Sequence, residues 1–445
     1  MGGIPLESSG RYIAFNRVDL KGNYEAVRVD TFDGSLHPLA PGHIGLQLLL
    51  ARPETGDLLF AVGLPHETAF AFSKLDRATV TARSMQTPLG LNSLEARMRP
   101  LAFDSDGTTL YLALERGVRS QLICHHLGSD TQQQIDMPLG VITGPGAFHR
   151  GMLRFPFTTA SRPQTLVTVA LPSMNPRRGT VMSTTGPAAA CAVKSALFET
   201  PDGPIEALVY GEHWATARRV IMALHGGPEA HWKAAFEPPL LSLAEAEGVA
   251  VIAVNQRGST GYGKSHQAAI NHSWGGPDLA DIHHIADHIT SNRSLSVGNQ
   301  IMIYGSSYGA FLALLAASTR PGHWSHCVAI APFLSGKRLY YDATPPVRHL
   351  LDRLGGHTEI HDVLGPRNLL SATTGLRAKT LLIHGTEDSI VPVSHSRELY
   401  QHLTKVGRCT SLSYVEAPGE GHSPRYDADR RPIGRLINAF FADQL

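Results

Sequence analysis

Two hydrophobic patterns divide the chain. Up to about residue 180, short runs of alternating apolar and polar positions follow polar turns that contain glycine. Ser9-Gly10 leads into Arg11-Tyr12-Ile13-Ala14-Phe15, and Thr55-Gly56 into Asp57-Leu58-Leu59-Phe60-Ala61-Val62. Asp106-Gly107 leads into Thr108-Thr109-Leu110-Tyr111-Leu112, and Arg150-Gly151 into Met152-Leu153-Arg154-Phe155. A period of two marks strands whose side chains alternate between two faces. Each unit continues into a second strand-like run, at residues 25–29, 70–75, 121–124 and 165–170. The turns recur at roughly 45–50 residues, the length of a four-stranded propeller blade. The expectation is a small all-β domain of about four blades, each burying a face on the next. A β-sandwich with hairpin turns is the other arrangement such alternation allows.

Residues 171–187 are rich in Pro, Ser and Gly and read as a linker. Apolar strands then alternate with helical patterns. Val249 to Val254 is a continuous apolar run, the form taken by a strand buried on both faces of a parallel sheet. Residues 279–291 place Leu279, Ile282, Ile285, Ala286 and Ile289 on one helical face. Residues 301–304 read as a strand and 310–318 as a helix, 393–406 and 428–445 as amphipathic helices, and 336–370 as an irregular lid. The fold class expected is α/β: a doubly wound, mostly parallel sheet over residues 188–445, preceded by the propeller-like domain over 1–187.

Composition narrows the function. The net charge is +1 and charged residues make up 17%, so no basic stripe points to nucleic acid. No apolar run is long enough to span a membrane, and the first residues lack a signal-peptide pattern. Cys124, Cys191, Cys327 and Cys409 are dispersed, which suits a reducing compartment; a cytoplasmic location is expected. His284 and His288 stand four apart on a helix near Asp281 and His283, a spacing that could hold zinc, but no third ligand is evident. The reading is a solvated face, with no metal and no cofactor.

The chemistry lies in Gly305-Ser306-Ser307-Tyr308-Gly309, set between the strand and the helix. The pattern is G-x-S-x-G, and only Ser307 has glycine at both −2 and +2. A sharp strand-to-helix turn of this kind exposes the hydroxyl where free backbone N–H groups can hold a negative charge. Serine is a weak nucleophile and needs a base oriented by a carboxylate. Strand 381–383 runs into Glu387-Asp388, and strand 414–415 runs into Gly419-Glu420-Gly421-His422. Asp388 is the acid of choice over Glu387, and His422 the base. His225-Gly226-Gly227-Pro228 follows an early strand and can supply the second oxyanion N–H, from Gly227 first and Gly226 second; the first comes from Tyr308. Phe333, Tyr340, Tyr341 and Val391 are candidates for an apolar substrate pocket, or equally for core or lid packing.

These motifs, with Asn255-Gln256-Arg257-Gly258-Ser259-Thr260-Gly261-Tyr262-Gly263, Trp274-Gly275-Gly276-Pro277-Asp278-Leu279 and Val391-Pro392, resemble the prolyl oligopeptidase family of serine peptidases, especially its acylaminoacyl-peptidase and dipeptidyl-peptidase-like branches. The resemblance covers about residue 200 to the last residue. It implies Ser307, Asp388 and His422 as a catalytic triad, and a β-propeller ahead of the hydrolase domain. The propeller here is shorter than the family usually carries, which loosens the size filter on substrates. A paired-glutamate motif for a free substrate amine is not found, so dipeptide release is not expected. The reaction expected is cleavage of peptide or amide bonds in short peptides or acylated amino acids through an acyl-enzyme. An esterase, or a transacylase or cyclase acting on a small metabolite, is the alternative; a non-catalytic binding propeller is a third. Homo-oligomers are common in the family, which admits a second copy of the chain as a partner.

Overall fold

The computed structural model describes residues 4–18, 24–43, 45–52, 54–62, 69–76, 79–85, 97–170, 180–182, 191–293, 301–358, 360, 367–407 and 411–444. Most of the 171–187 linker lies outside the described residues. The chain forms two compact units, Met1–Thr159 with Pro163–Gly186, and Pro187–Leu445 with Ala160–Arg162.

The first unit is a propeller-like succession of antiparallel sheets. The first sheet holds β1 (Ile4–Pro5), β2 (Tyr12–Val18), β3 (Tyr24–Asp30) and β4 (Leu36–Pro38). The second holds β5 (Leu46–Arg52), β6 (Asp57–Val62), β7 (Ala69–Asp76) and β8 (Thr81–Met85). The third holds β9 (Arg97–Phe103), β10 (Thr109–Arg116), β11 (Arg119–His126) and β12 (Thr131–Ile135). The fourth is built from β13 (Val141–Ile142), β14 (Ala147–His149), β15 (Met152–Thr159), β16 (Arg162–Ala170) and β17 (Thr180–Met182).

The period-two pattern now has a physical meaning. On β6, Leu58 and Phe60 pack with Leu6, just after β1, and with Ala14 and Ala26 of the first sheet, while Leu59 packs with Phe103, Leu110 and Leu112 of the third. On β10 the neighbours of those residues, Tyr111 and Ala113, pack with Leu153, Phe155 and Val167 of the fourth. Both faces of an inner sheet are thus buried by its neighbours. The recurring turn glycines take one conformation: φ is +73° at Gly10, +76° at Gly56, +70° at Gly107 and +73° at Gly151. Left-handed backbone costs a residue with a Cβ, and here it fixes where each following strand starts.

The second unit carries an eight-stranded sheet. Its strands are β18 (Val193–Phe198), β19 (Ile205–Gly211), β20 (Arg219–Leu224), β21 (Val249–Val254), β22 (Ile301–Ser306), β23 (Trp324–Ile330), β24 (Lys379–Gly385) and β25 (Leu412–Ala417). The order is β18-β19-β21-β20-β22-β23-β24-β25. From β21 across to β25 every neighbour is parallel, and β18 and β19 are antiparallel additions at one edge.

Helices α1 (Pro238–Ala244), α2 (Lys264–Ala268), α3 (Pro277–Ser291), α4 (Tyr308–Thr319), α5 (Gly336–Asp342), α6 (Pro345–Leu354), α7 (Leu369–Ala372), α8 (Ser394–Val406) and α9 (Ile433–Phe441) connect them. Helix α4 is buried on nearly every side, and its alanines and leucines join the core of the unit.

Three expectations are corrected. Within residues 336–370, two segments are helical rather than irregular. Helix α5 is capped by Ser335, which accepts the Arg338 N–H, and α6 starts on Pro345 and stops at a left-handed Gly355. The last helix begins at Ile433, not at 428, because Asp427 accepts the N–H groups of Asp429 and Arg431 and holds that stretch as a loop. On α3 the polar face is only partly solvated: Asp278, Asp281 and His283 are buried. Asp281 is paired with Arg257, and His283 Nε2 meets Thr319 Oγ1 at 2.9 Å. His284 Nδ1 donates to Ala280 O, and His288 packs on Trp214 and Phe198.

Candidate active site

Ser307 sits between β22 and α4 with φ 56° and ψ −120°, a conformation that side chains with a Cβ rarely adopt. The flanking glycines make it feasible. A Cβ on Gly305 would stand 2.1 Å from Gly309 O, and one on Gly309 would stand 2.4 Å from Leu224 O. The turn is further held by Ser307 N–H donating to Ile330 O at 2.8 Å, and by Ser307 O accepting from Ala310 and Phe311. Ser307 itself is half-buried.

Asp388 and His422 follow β24 and β25, which run parallel to β22, so all three loops open on the same edge of the sheet. His422 Nδ1 donates to Asp388 Oδ2 at 2.7 Å. Asp388 Oδ1 accepts the N–H groups of Ile390 and Val391, each at 2.9 Å. Burial pushes the Asp388 carboxyl up, but hydrogen bonds from His384, His422 and Val391 outweigh it and hold the group well below the usual carboxylate range. Glu387, the rival acid, is exposed; its N–H bonds Glu420 O at 2.9 Å. With Nδ1–H committed to the carboxylate, His422 keeps Nε2 as a proton acceptor.

The Gly-Gly loop lies against the elbow. A Cβ on Gly226 would stand 3.2 Å from Ser307 Cβ and 3.9 Å from Ser307 Oγ. His225 Nδ1 donates to Gly226 O at 2.8 Å, which anchors the peptide plane whose N–H belongs to Gly227. Its Nε2 meets Ser259 Oγ at 2.8 Å, and burial pushes the imidazole down to about 4. Tyr308 is the first residue of α4, so its N–H has no carbonyl one turn back. Its phenol donates to Asp278 Oδ2 at 2.5 Å and accepts the Gly275 N–H at 3.2 Å. Burial pushes Asp278 up to about 6.

The four pocket candidates are spread out. Phe333 stacks on Phe311 with centroids 4.5 Å apart and, like Val391, belongs to the core. Tyr340 is half-buried against Tyr341 and His357, and Tyr341 is 71% exposed. A cavity of about 200 Å³ beside α3, α4 and α7 is lined by Leu279, Leu315 and Arg367, and contains none of the candidates. Sequence reasoning missed His225 and His384 as partners of the site, although both stand at the ends of apolar strands. Among the described residues, no group of His, Cys, Asp and Glu could hold a metal ion, and no helix is long and apolar enough to cross a membrane.

Residues 235–445 match the prolyl oligopeptidase family model. Among curated proteins, the chain is 27% identical over 247 residues to the uncharacterized peptidase YuxL of Bacillus subtilis, covering 52% of this chain and 35% of that one. It is 28% identical over 237 residues to dipeptidyl peptidase family member 6 of Caenorhabditis elegans, covering 51% and 31%. The chain thus spans about a third of the length of these relatives.

Among solved structures, an acylaminoacyl peptidase of Pyrococcus horikoshii aligns with a TM-score of 0.72 at 15% identity, over 100% of this chain and 70% of that one. A puromycin-hydrolyzing peptidase of Mycobacterium tuberculosis aligns at 0.69 with 18% identity, over 100% and 69%. These two likenesses speak for the fold. The family match covers the part of the chain that carries the elbow, the acid and the histidine.

Proposed function

We propose that the chain is a serine peptidase that cleaves peptide or amide bonds of short peptides or acylated amino acids through an acyl-enzyme. Ser307 Oγ attacks the carbonyl carbon while His422 Nε2 takes its proton. The tetrahedral oxyanion is held by the N–H groups of Tyr308 and Gly227, with Gly226 as the second choice on that loop. His422 returns the proton to the leaving amine, whose C–N bond breaks, and the acyl group stays on Ser307. Water, activated by the same histidine, releases the acid. Asp388 keeps the imidazole in the Nδ1–H tautomer and stabilises its charged form.

The observation that carries this reading is the 2.7 Å His422–Asp388 pair, on loops at the same sheet edge as a serine held at φ 56°. Amide substrates are favoured because the matched relatives are peptidases. The free thiols Cys124, Cys191 and Cys327 support a cytoplasmic setting.

The test compares aminoacyl anilides, acetyl-aminoacyl anilides and simple alkyl esters. Turnover of the anilides, lost in Ser307→Ala, supports the reading. Turnover confined to the simple esters overturns peptidase in favour of esterase.

A further inference from the structure

The catalytic carboxylate candidate is held by two histidines, and the mechanism above uses only one. His384 ends β24 and its side chain is fully buried. Its Nε2 lies 2.8 Å from Val391 O and 3.2 Å from Asp388 Oδ2, the same oxygen that accepts from His422. Its Nδ1 lies 2.7 Å from Ser396 Oγ in the first turn of α8. A carbonyl can only accept, so the proton of His384 sits on Nε2, and the Ser396 hydroxyl donates to Nδ1. One N–H therefore faces both the carbonyl of Val391 and the carboxylate of Asp388, and closes the loop between them.

We propose that His384 is a positioning residue for Asp388, and through it for the base His422. It does so in two ways. The ring fixes the rotamer of Asp388 by occupying Oδ2 while Ile390 and Val391 occupy Oδ1. Each donor on the carboxylate also shares its negative charge, so less of that charge bears on the His422 ring than in a lone Asp–His pair. Ser396 extends the hold to α8, so the acid loop and that helix move together. The inference rests on the serine-peptidase reading of the site and names a residue that reading leaves unused.

Other charged or titratable groups lie near the pair: Glu387 and Glu420 on the two loops, Asp342 beside His395, and His395, Arg397 and Glu416 themselves. His395 of α8 accepts the Leu334 N–H at Nδ1, and burial pushes it down to about 4. Glu416 of β25 is bound twice by Arg397, which lowers it from its ordinary range. Neither changes charge near neutrality, where a free histidine titrates.

The experiment measures the rate of fluorophosphonate labelling of the full chain against pH, beside a thermal melt. His384→Phe removes the donor; His384→Gln places an amide N–H near the position of Nε2. We expect His384→Phe to slow labelling by about 10- to 100-fold. The acid limb of its pH profile should move up, because the carboxylate then bears on the His422 ring without a competing donor. His384→Gln should recover most of both. The low-field proton resonance of His422 Nδ1–H should shift in the Phe variant and return in the Gln variant. A folded Phe variant that labels at the wild-type rate with the wild-type midpoint overturns the proposal.

If the Phe variant does not fold, Ser396→Ala serves in its place, since it frees the ring to turn. A slower label with the limb moved up supports the role, and an unchanged profile overturns it. Failure of the wild-type protein to label at Ser307 overturns the serine-peptidase reading itself, and this inference with it.

Discussion

On β6, Leu58 and Phe60 face one sheet and Leu59 faces the other, and the same alternation repeats on β10. Apolar packing between sheets builds the core of that unit, with a few buried polar groups such as Asp30, Asp57 and His125 dispersed in it. In the C-terminal unit the sheet core is just as apolar, yet its C-terminal edge buries His225, Asn255, Ser259, Asp278, His384 and Asp388. Burying such groups costs free energy unless each is hydrogen-bonded, and each of these is. One unit repeats a solution to burial. The other also gathers hydrogen-bonded polar side chains where its parallel strands end. Such a gathering of buried, hydrogen-bonded polar groups at the strand ends fits the site proposed there.

Substitutions can break this contrast. The largest effect is expected from Asp388→Asn, which leaves the shape of the loop but reverses the preferred imidazole tautomer. Hydrolysis of the best amide substrate should fall by about 10⁴-fold with little change in the melting curve. A fall below tenfold would show that His422 does not depend on this carboxylate. Next is Phe60→Ala in the second sheet. It should destabilise the N-terminal unit by about 3–5 kcal/mol in denaturant unfolding, yet leave the labelling rate of folded protein unchanged. A folded variant with slow labelling would show that the β unit takes part in the chemistry.

The smallest effect is expected from pH. Burial holds His225 and His395 at about 4, and His283 at about 3, against an ordinary 6.5. Their folded forms stay neutral while the unfolded chain takes up protons below pH 6.5, so stability falls as the pH drops from 6.5 toward 4. Asp278, raised from 3.8 to about 6, acts in the opposite sense: the folded state holds its proton better, which favours folding as the pH drops from 6 toward 3.8. His266 and His326 are lowered as well, and Asp281 and Glu237 raised, so five histidines stand against three acids and leave a net loss. In the N-terminal unit, His125 is the buried histidine lowered in this way among the described residues. Scanning calorimetry between pH 6.5 and 5 should therefore show the transition of the C-terminal unit moving down by several degrees and the other by less. Equal shifts would remove the distinction.

The parts legible in the sequence are those where backbone geometry dictates residue type. The glycines around Ser307 are required because carbonyls stand where a Cβ would go, and Gly10, Gly56, Gly107 and Gly151 because φ is positive. Strands buried on both faces, such as β21, are equally plain. The edge strands β4 and β12 are short and mostly exposed, so no alternation betrays them. Helices α5 and α6 escaped because their signals are caps rather than a long apolar stripe.

His384 is the instructive miss at the site. The chain has 23 histidines, and residue spacing does not tell which imidazole faces a carboxylate. The usable signal was a histidine closing an apolar strand four residues before the acid.

The most direct test of the central claim is fluorophosphonate labelling of the full chain, with the modified residue mapped by mass spectrometry. The account predicts one adduct, on Ser307, that disappears in Ser307→Ala and slows severely in His422→Ala while both variants keep the wild-type melting curve. An adduct elsewhere, or none on folded protein, would contradict it.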